Sequence, residues 1–311
     1  MMIDVKGLRK SYKNNVVLDG INLHVAEGSI FSLLGPNGAG KTTTVQILST
    51  LIRADSGEVR IAGHDLNREP EAVRAIIGLT GQFAAVDQVL TGEENMMLMV
   101  TLRHLNPSDG RRRVTELVER FDLADAVKKP VSTYSGGMRR KLDLAMGLIG
   151  NPRLVFLDEP TTGLDPRSRQ TMWQLIMELA ASGVTIFLTT QYLEEADRLA
   201  NRIAVLDKGR LVAEGSPADL KRLISGGHVE LQFADLAALE KVAQSFGDAV
   251  RDDNALALRV PNDGSIKDMR NLLDQLDAVS VPVTGMTLHT PDLDDVFFAL
   301  TGKSDQKEVI Q

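Results

Sequence analysis

The chain has 311 residues, 43% hydrophobic and 25% charged, with a formal net charge of -7 and no cysteine. These are the proportions of a soluble globular protein of about two domains; they exclude a disordered or membrane-embedded body, count against a nucleic-acid binder, and remove disulfides and thiolate metal sites. No run approaches the ~18 apolar residues that span a bilayer, and the start, MMIDVKGLRKSYKNN, lacks a secretory core, so a cytosolic chain is expected.

Between residues 2 and 31 the apolar and polar residues alternate in short runs, which predicts strands over IDVKGLRKSY, VVLDGINLHV and GSIFSLLG. The last of these feeds LLGPNGAGKTTT at 33–44, and helical spacing follows in TTTVQILSTLI. Further strands are predicted at 57–63 and 75–82. From 92 to 150 the pattern turns helical in three segments broken by NPSDG and KKPVSTYS, an insertion over about 83–150 within an α/β domain. RLVFLDEP and VTIFLTT are short, almost purely apolar runs flanking a helical segment, as in parallel strands covered on both faces. A hairpin turn is predicted at Lys208-Gly209, a capped helix in SPADLKRLI, and a linker at SGGH, 225–228. An α/β domain over 1–225 then gives way to a small α+β domain over 226–311, with strands and helices alternating to LDDVFFALTG and a frayed tail, KSDQKEVIQ. The five histidines, at 24, 64, 104, 228 and 289, show no helical pair spacing, so surface or core roles are expected rather than a metal site.

Gly35-Pro36-Asn37-Gly38-Ala39-Gly40-Lys41-Thr42 fits a phosphate loop between a strand and a helix. Backbone N–H groups converge there on an anion, the helix N-terminus adds positive potential, Lys41 reaches terminal phosphates, and Thr42, with Thr43 beside it, faces magnesium. The implied ligand is a nucleoside triphosphate. Asp158, ending LVFLDEP, is placed to reach the magnesium shell, and Glu159 to orient or deprotonate the attacking water. In YSGGMRRKLDLAMGL, 134–148, a serine and two glycines open another helix and make a second anion site.

With GLDP at 163–166, these motifs resemble the nucleotide-binding subunit of ABC transporters over roughly residues 2–222. The resemblance implies a P-loop NTPase fold of the α/β class, with a mainly parallel sheet core, an antiparallel β subdomain and a helical subdomain, followed by the small C-terminal domain. It also implies ATP and Mg2+ as ligands. Tyr12 matches the aromatic that stacks on adenine, Gln82 the glutamine linking magnesium to the helical subdomain, and Asp165 the loop communicating between sites. Ser135, Gly136 and Gly137 match the signature that contacts the γ-phosphate of ATP held by the opposite subunit, so one set of motifs per chain implies a homodimer. Two departures stand out: YSGGM replaces the usual LSGGQ, and Gln191 stands where most members carry histidine. A glutamine amide donates a hydrogen bond but never becomes cationic, so hydrolysis is expected to be slow or less dependent on imidazole protonation.

FAAVDQVLTGEEN, TTQYLEEAD and DLDDVFFALTG further resemble the daunorubicin-resistance type of ATP-binding subunit. That implies a separate membrane-spanning permease, a peripheral place on the cytoplasmic face of the membrane, and ATP hydrolysis coupled to export of a hydrophobic drug or lipid. The alternative is a soluble ABC-type ATPase acting on nucleic acid or ribosomes, which the single cassette, the lack of heptads and the acidic balance disfavour. The C-terminal domain reads as a dimerisation or docking support, with a ligand-binding regulator as its alternative. RRR at 111–113 and RRK at 139–141 read as solvated helix faces, and MMLMV at 96–100 as helical core or as a groove for a permease helix.

Overall fold

The computed structural model describes residues 1–82, 84–223, 227–262, 264–279, 281–289 and 292–297. Packing divides the chain into two compact units, Met1–Pro217 and Ala218–Gln311.

In the first unit the alternating runs pair as expected. Strands β1 (Ile3–Tyr12) and β2 (Asn15–Val25) form an antiparallel ribbon that buries Ile3, Val5, Leu18 and Leu23. Strand β3 (Ile30–Leu34) leads into helix α1 (Lys41–Leu48), after which β4 (Ser56–Ile61) and the two-residue β5 (His64–Asp65) complete a sheet of order β2-β1-β4-β5. Helix α2 (Pro70–Ile76) precedes β6 (Ile77–Thr80).

The expected helical insertion follows as α3 (Gly92–Leu102), α4 (Pro107–Arg120), a 3-10 turn at Val131–Thr133, and α5 (Gly136–Gly147). Thr91 and Glu94 close a reciprocal capping box on α3. Helix α4 begins earlier than the sequence pattern indicates, because NPSDG acts as a start signal. Asn106 accepts the Ser108 N–H at 2.9 Å and Pro107 occupies the first turn, where its missing N–H costs nothing.

Strands β7 (Leu154–Asp158) and β8 (Thr185–Thr190) flank helix α6 (Pro166–Ala181); α7 (Leu193–Leu199), β9 (Arg202–Asp207) and β10 (Arg210–Gly215) follow. The second sheet has the order β10-β9-β3-β8-β7-β6, parallel except for β10 at its edge. Both Lys208 and Gly209 in the β9–β10 turn have positive φ, the twist a two-residue hairpin requires.

Strand alternation sorts the core onto the two faces of this sheet. Phe31, Phe156 and Phe187 face the antiparallel sheet, with ring centroids 5.5 and 5.6 Å apart. Val155, Leu157, Ile186 and Leu188 face Leu142 of α5 and Trp173 and Ile176 of α6. Coverage on both sides explains the unbroken apolar runs. The registers Leu34↔Thr190 and Asp158↔Thr189 bring the C-terminal ends of β3, β8 and β7 side by side, the edge where open α/β sheets carry their ligands.

Helix α8 (Pro217–Arg222) lies at the division between units. The second unit contains β11 (His228–Gln232), α9 (Leu236–Ala243), β12 (Val250–Asp252), β13 (Ala257–Pro261), α10 (Ile266–Val279) and β14 (Gly285–His289). Its antiparallel sheet has the order β12-β13-β11-β14, and Val229, Leu231, Leu239, Val242, Leu258 and Leu272 form its core. Three-residue β12 is too short to show a period in the sequence. Of the last expected helix, residues 293–297 are helical; its end, the tail, and residues 225 and 226 of the expected linker lie outside the described residues.

Candidate nucleotide site

The loop between β3 and α1 passes so close to its neighbours at Gly35 and Gly40 that only glycine fits there. A Cβ on Gly35 would lie 2.2 Å from the Leu206 carbonyl oxygen; one on Gly40, whose φ is 110°, would lie 2.6 Å from Leu18 Cδ2. Asn37 and Gly38 at the tip are exposed, whereas Ala39 is buried and donates its N–H to the Pro36 carbonyl at 3.3 Å. Lys41 opens the helix and is buried. Its ammonium donates to the carbonyls of Gly35 (2.8 Å) and Pro36 (3.1 Å) and pairs with Glu159 Oε1 at 3.2 Å, which occupies all three protons. Thr42 is exposed and Thr43 half-buried on the first turn, while Thr44 turns inward and donates to Gly40 O at 3.0 Å.

Asp158 ends β7 with its carboxylate buried, Oδ1 accepting the Thr189 hydroxyl at 2.5 Å. Glu159 follows with φ 50°, left-handed backbone that costs a non-glycine residue about 1–3 kcal/mol and recurs where chemistry demands a particular placement. Thr189 holds that turn by accepting the Glu159 N–H at its own carbonyl, 3.1 Å away. The second carboxylate oxygen, Oε2, accepts from Thr162 Oγ1 at 3.3 Å and from Gln82 Nε2 at 3.5 Å. Lys41, Gln82 and Glu159, distant in sequence, therefore meet beside Asp158.

The RRK segment departs from expectation: Arg140 is buried. Its guanidinium donates to the carbonyls of Gly81 (2.6 Å), Gln82 (3.4 Å), Asp158 (3.1 Å), Glu159 (3.2 Å) and Pro160 (2.8 Å). Burial pulls its pKa down, opposed by the charges of Asp143, Asp158 and Glu195. Asp143, one turn along α5, accepts the Ala85 N–H at 3.0 Å; burial pushes its carboxyl up to about 6, against that bond and the Arg140 charge. α5 is thereby fastened to the chain segments carrying Gln82 and Glu159. Solvated faces are found at Arg111 and Arg112, as expected, whereas Arg113 reaches back to Leu148 O at 3.2 Å. In MMLMV only Met96 and Val100 are buried, and Leu98 is exposed.

Ser135 caps α5, accepting the Met138 N–H at 3.2 Å, and Gly136 is exposed beside it. A Cβ on Gly137 would lie 2.7 Å from Ser168 Oγ. Ser168 is in turn held by Asp165, through its hydroxyl at 2.6 Å and its N–H at 3.0 Å, bonds that hold the Asp165 carboxyl below the usual range. The tyrosine that replaces the usual leucine is anchored: Tyr134 donates its hydroxyl to Ala126 O at 2.8 Å, and burial raises its pKa.

Five expected site residues stand apart from this cluster. Among the described residues no hydrogen bond or ion pair joins Ser135, Gly136 or Gly137 to the loop at 35–42, and none joins the Gln191 side chain to Glu159. Tyr12 is exposed at the end of β1, with Lys10 Nζ 5.4 Å from its ring centroid. Sequence reasoning also missed Glu195. It is fully buried on α7, accepts from Thr161 Oγ1 (2.8 Å) and Trp173 Nε1 (2.9 Å), and is pushed up by burial. The available signal was its place ahead of Ala196 and Leu199 on an inward helix face.

The ABC transporter family matches residues 18–162. The chain is 47% identical to the daunorubicin resistance ATP-binding protein DrrA2 of Streptomyces coeruleorubidus, over 96% of this chain and 95% of that one. It is 44% identical to the daunorubicin/doxorubicin resistance ATP-binding protein DrrA of Streptomyces peucetius, over 96% of this chain and 92% of the relative. A dimeric ATP-binding cassette solved in a post-hydrolysis state with ADP and Pi superposes with a TM-score of 0.63 at 27% identity, covering 69% of this chain and 98% of that one. The glycine-lined loop, its enclosed lysine–glutamate pair and these full-length likenesses lead to one conclusion: the chain belongs to the ATP-binding subunits of ABC transporters, in the daunorubicin-resistance group.

Proposed function

We propose that this ATPase drives export of a hydrophobic drug or lipid through a separate membrane-spanning subunit, two copies of the chain working together on the cytoplasmic face. Among the described residues no helix is long and apolar enough to cross a membrane. On this reading the cargo's route belongs to the partner subunit.

The observation that carries the proposal is the buried Lys41–Glu159 pair beside Asp158, joined by the exposed Gln82, under a loop with room for no side chain at Gly35 or Gly40. Lys41 exchanges its loop carbonyls for the terminal phosphates, and the loop N–H groups and the start of α1 hold their charge. Glu159, released from Lys41, accepts the proton of the attacking water. Gln191 donates its amide to the γ-phosphate, and Tyr12 lies against the adenine. Thr42 hydroxyl, Asp158 carboxylate and the Gln82 amide oxygen form an oxygen-only donor set, which suits Mg2+ and would hold it; when bound, the ion neutralises charge on the transferring phosphate. Ser135, Gly136 and Gly137 of one copy close over the γ-phosphate carried by the other, and the Asp165–Ser168 contact behind Gly137 links the two sites. Nothing in the site favours the nucleic-acid or ribosome alternative.

The test is drug-stimulated ATP hydrolysis by the chain copurified with its membrane partner in lipid vesicles. Vesicles should accumulate an amphipathic drug with ATP and not with Glu159→Gln protein. Hydrolysis that no membrane protein or drug alters would overturn the transport reading.

A further inference from the structure

The second unit assembles a constellation that the sequence spreads over most of that unit. Strands β11 and β14 pair antiparallel, with His228 directly opposite His289 and Glu230 opposite Thr287. Side chains alternate along a strand, so His228 and Glu230 share one face and His289 joins them from the neighbouring strand. The other face carries Val229 and Leu231 into the core, which leaves this one to polar groups. The two imidazole rings stack with centroids 4.8 Å apart and 15° between planes. One ligand atom from each of His228, Glu230 and His289 lies within 4.8 Å of the others. On the far side, Arg259 of β13 donates to Glu230 Oε2 at 3.1 Å, which leaves Oε1 for a further partner.

We propose that His228, Glu230 and His289 form a binding site for a borderline divalent transition ion, Zn2+ in the first instance. Two imidazole nitrogens and one carboxylate oxygen are a donor set zinc accepts, with water in the fourth position. Magnesium and calcium favour oxygen-only sets and are poorly served by it. Tetrahedral geometry with bonds of about 2.0–2.1 Å brings ligand atoms to roughly 3.3 Å from one another. Closing from the observed spread takes side-chain rotation in one exposed and two half-buried residues, on a register the sheet has already fixed. The ion would tie β14, at the edge of the sheet, to β11. The inference is independent of the export reading, since none of these residues belongs to the nucleotide site.

The experiment titrates Zn2+ into the untagged full-length chain, with a chromogenic chelator as competitor and Mg2+ in excess to occupy oxygen-only sites. Wild-type protein should take up one ion per chain. His228→Ala and His289→Ala should each weaken uptake by more than ~10-fold, since losing a ligand costs at least what losing an outer-shell partner does. Zinc should raise the thermal midpoint of the wild type and leave the His228→Ala/His289→Ala double variant unmoved; a metal-free midpoint matching the parent shows that the variant is folded. No zinc uptake by the wild type, or equal uptake by a folded double variant, would overturn the site.

Discussion

The ammonium of Lys41 lies 3.2 Å from the carboxylate of Glu159, with both side chains almost wholly enclosed. On the proposed mechanism each holds a charge that the reaction draws on, the lysine for phosphate and the carboxylate for water. Removing one partner of a buried pair leaves the other uncompensated, at a cost of about 3–5 kcal/mol. On the proposed mechanism a triphosphate would relieve the lysine and free the glutamate in the same event. Glu159→Gln should therefore bind ATP at least as tightly as the parent, hydrolyse it about 10²–10⁴-fold more slowly, and persist as a dimer by light scattering. Lys41→Ala should lose nucleotide binding and unfold at lower urea, and adding Glu159→Gln should restore part of that stability. A Glu159→Gln protein turning over at the parent rate removes the glutamate from this role.

Arg140 serves five backbone carbonyls around the same site, and no other side chain has the fork to do so. Arg140→Lys keeps the charge but not the geometry, and should cost about 2–4 kcal/mol in urea unfolding. Turnover should fall further than nucleotide affinity, because the Gln82 and Glu159 backbones shift while the loop at 35–42 does not. Equal losses in binding and turnover would contradict a positioning role.

Asp143 gives the stability a signed pH dependence. Its carboxyl titrates near 3.8 when unfolded and is pushed up to about 6 by burial in the native state. Between those values the native chain holds a proton that the unfolded chain has released, so stability falls as pH rises through the window and levels off above it. At about 1.4 kcal/mol per pKa unit the fall reaches roughly 3 kcal/mol. Glu195 is raised in the same direction and persists in the variant, so the informative quantity is a difference. Urea midpoints of wild type and Asp143→Asn between pH 4 and 7 should diverge, the variant showing the shallower fall; parallel curves would contradict the assignment.

Gln191 follows β8 with a side chain that cannot titrate. The pH–rate profile of the wild type should lack an imidazole inflection, and Gln191→His should introduce one near pH ~6.5. An unchanged profile in the variant places residue 191 away from the reacting phosphate.

The strands and the phosphate loop were legible because their signals are local. Alternation marks β1 and β2, two-sided burial marks β7 and β8, and glycine spacing marks the loop. Arg140 was not legible. It sits in MRRKLD, where any one arginine looks solvated, and only the docking of α5 against the ends of β6 and β7 encloses it. Thr189, which holds both Asp158 and the Glu159 backbone, was hidden for the same reason, since its role depends on strand register. His228 and His289 escaped a search for helical pairs because they meet across two strands.

On the proposed reading, ATP is held between the lysine loop of one copy and the serine–glycine helix start of another. Mixing Lys41→Ala with Ser135→Arg chains, each inactive alone, distinguishes a shared site from a self-contained one, because a mixed dimer places both lesions in one site and leaves the other intact. Random pairing of symmetric copies should restore up to about a quarter of the parent ATPase rate. A mixture no more active than its two components would contradict the shared site.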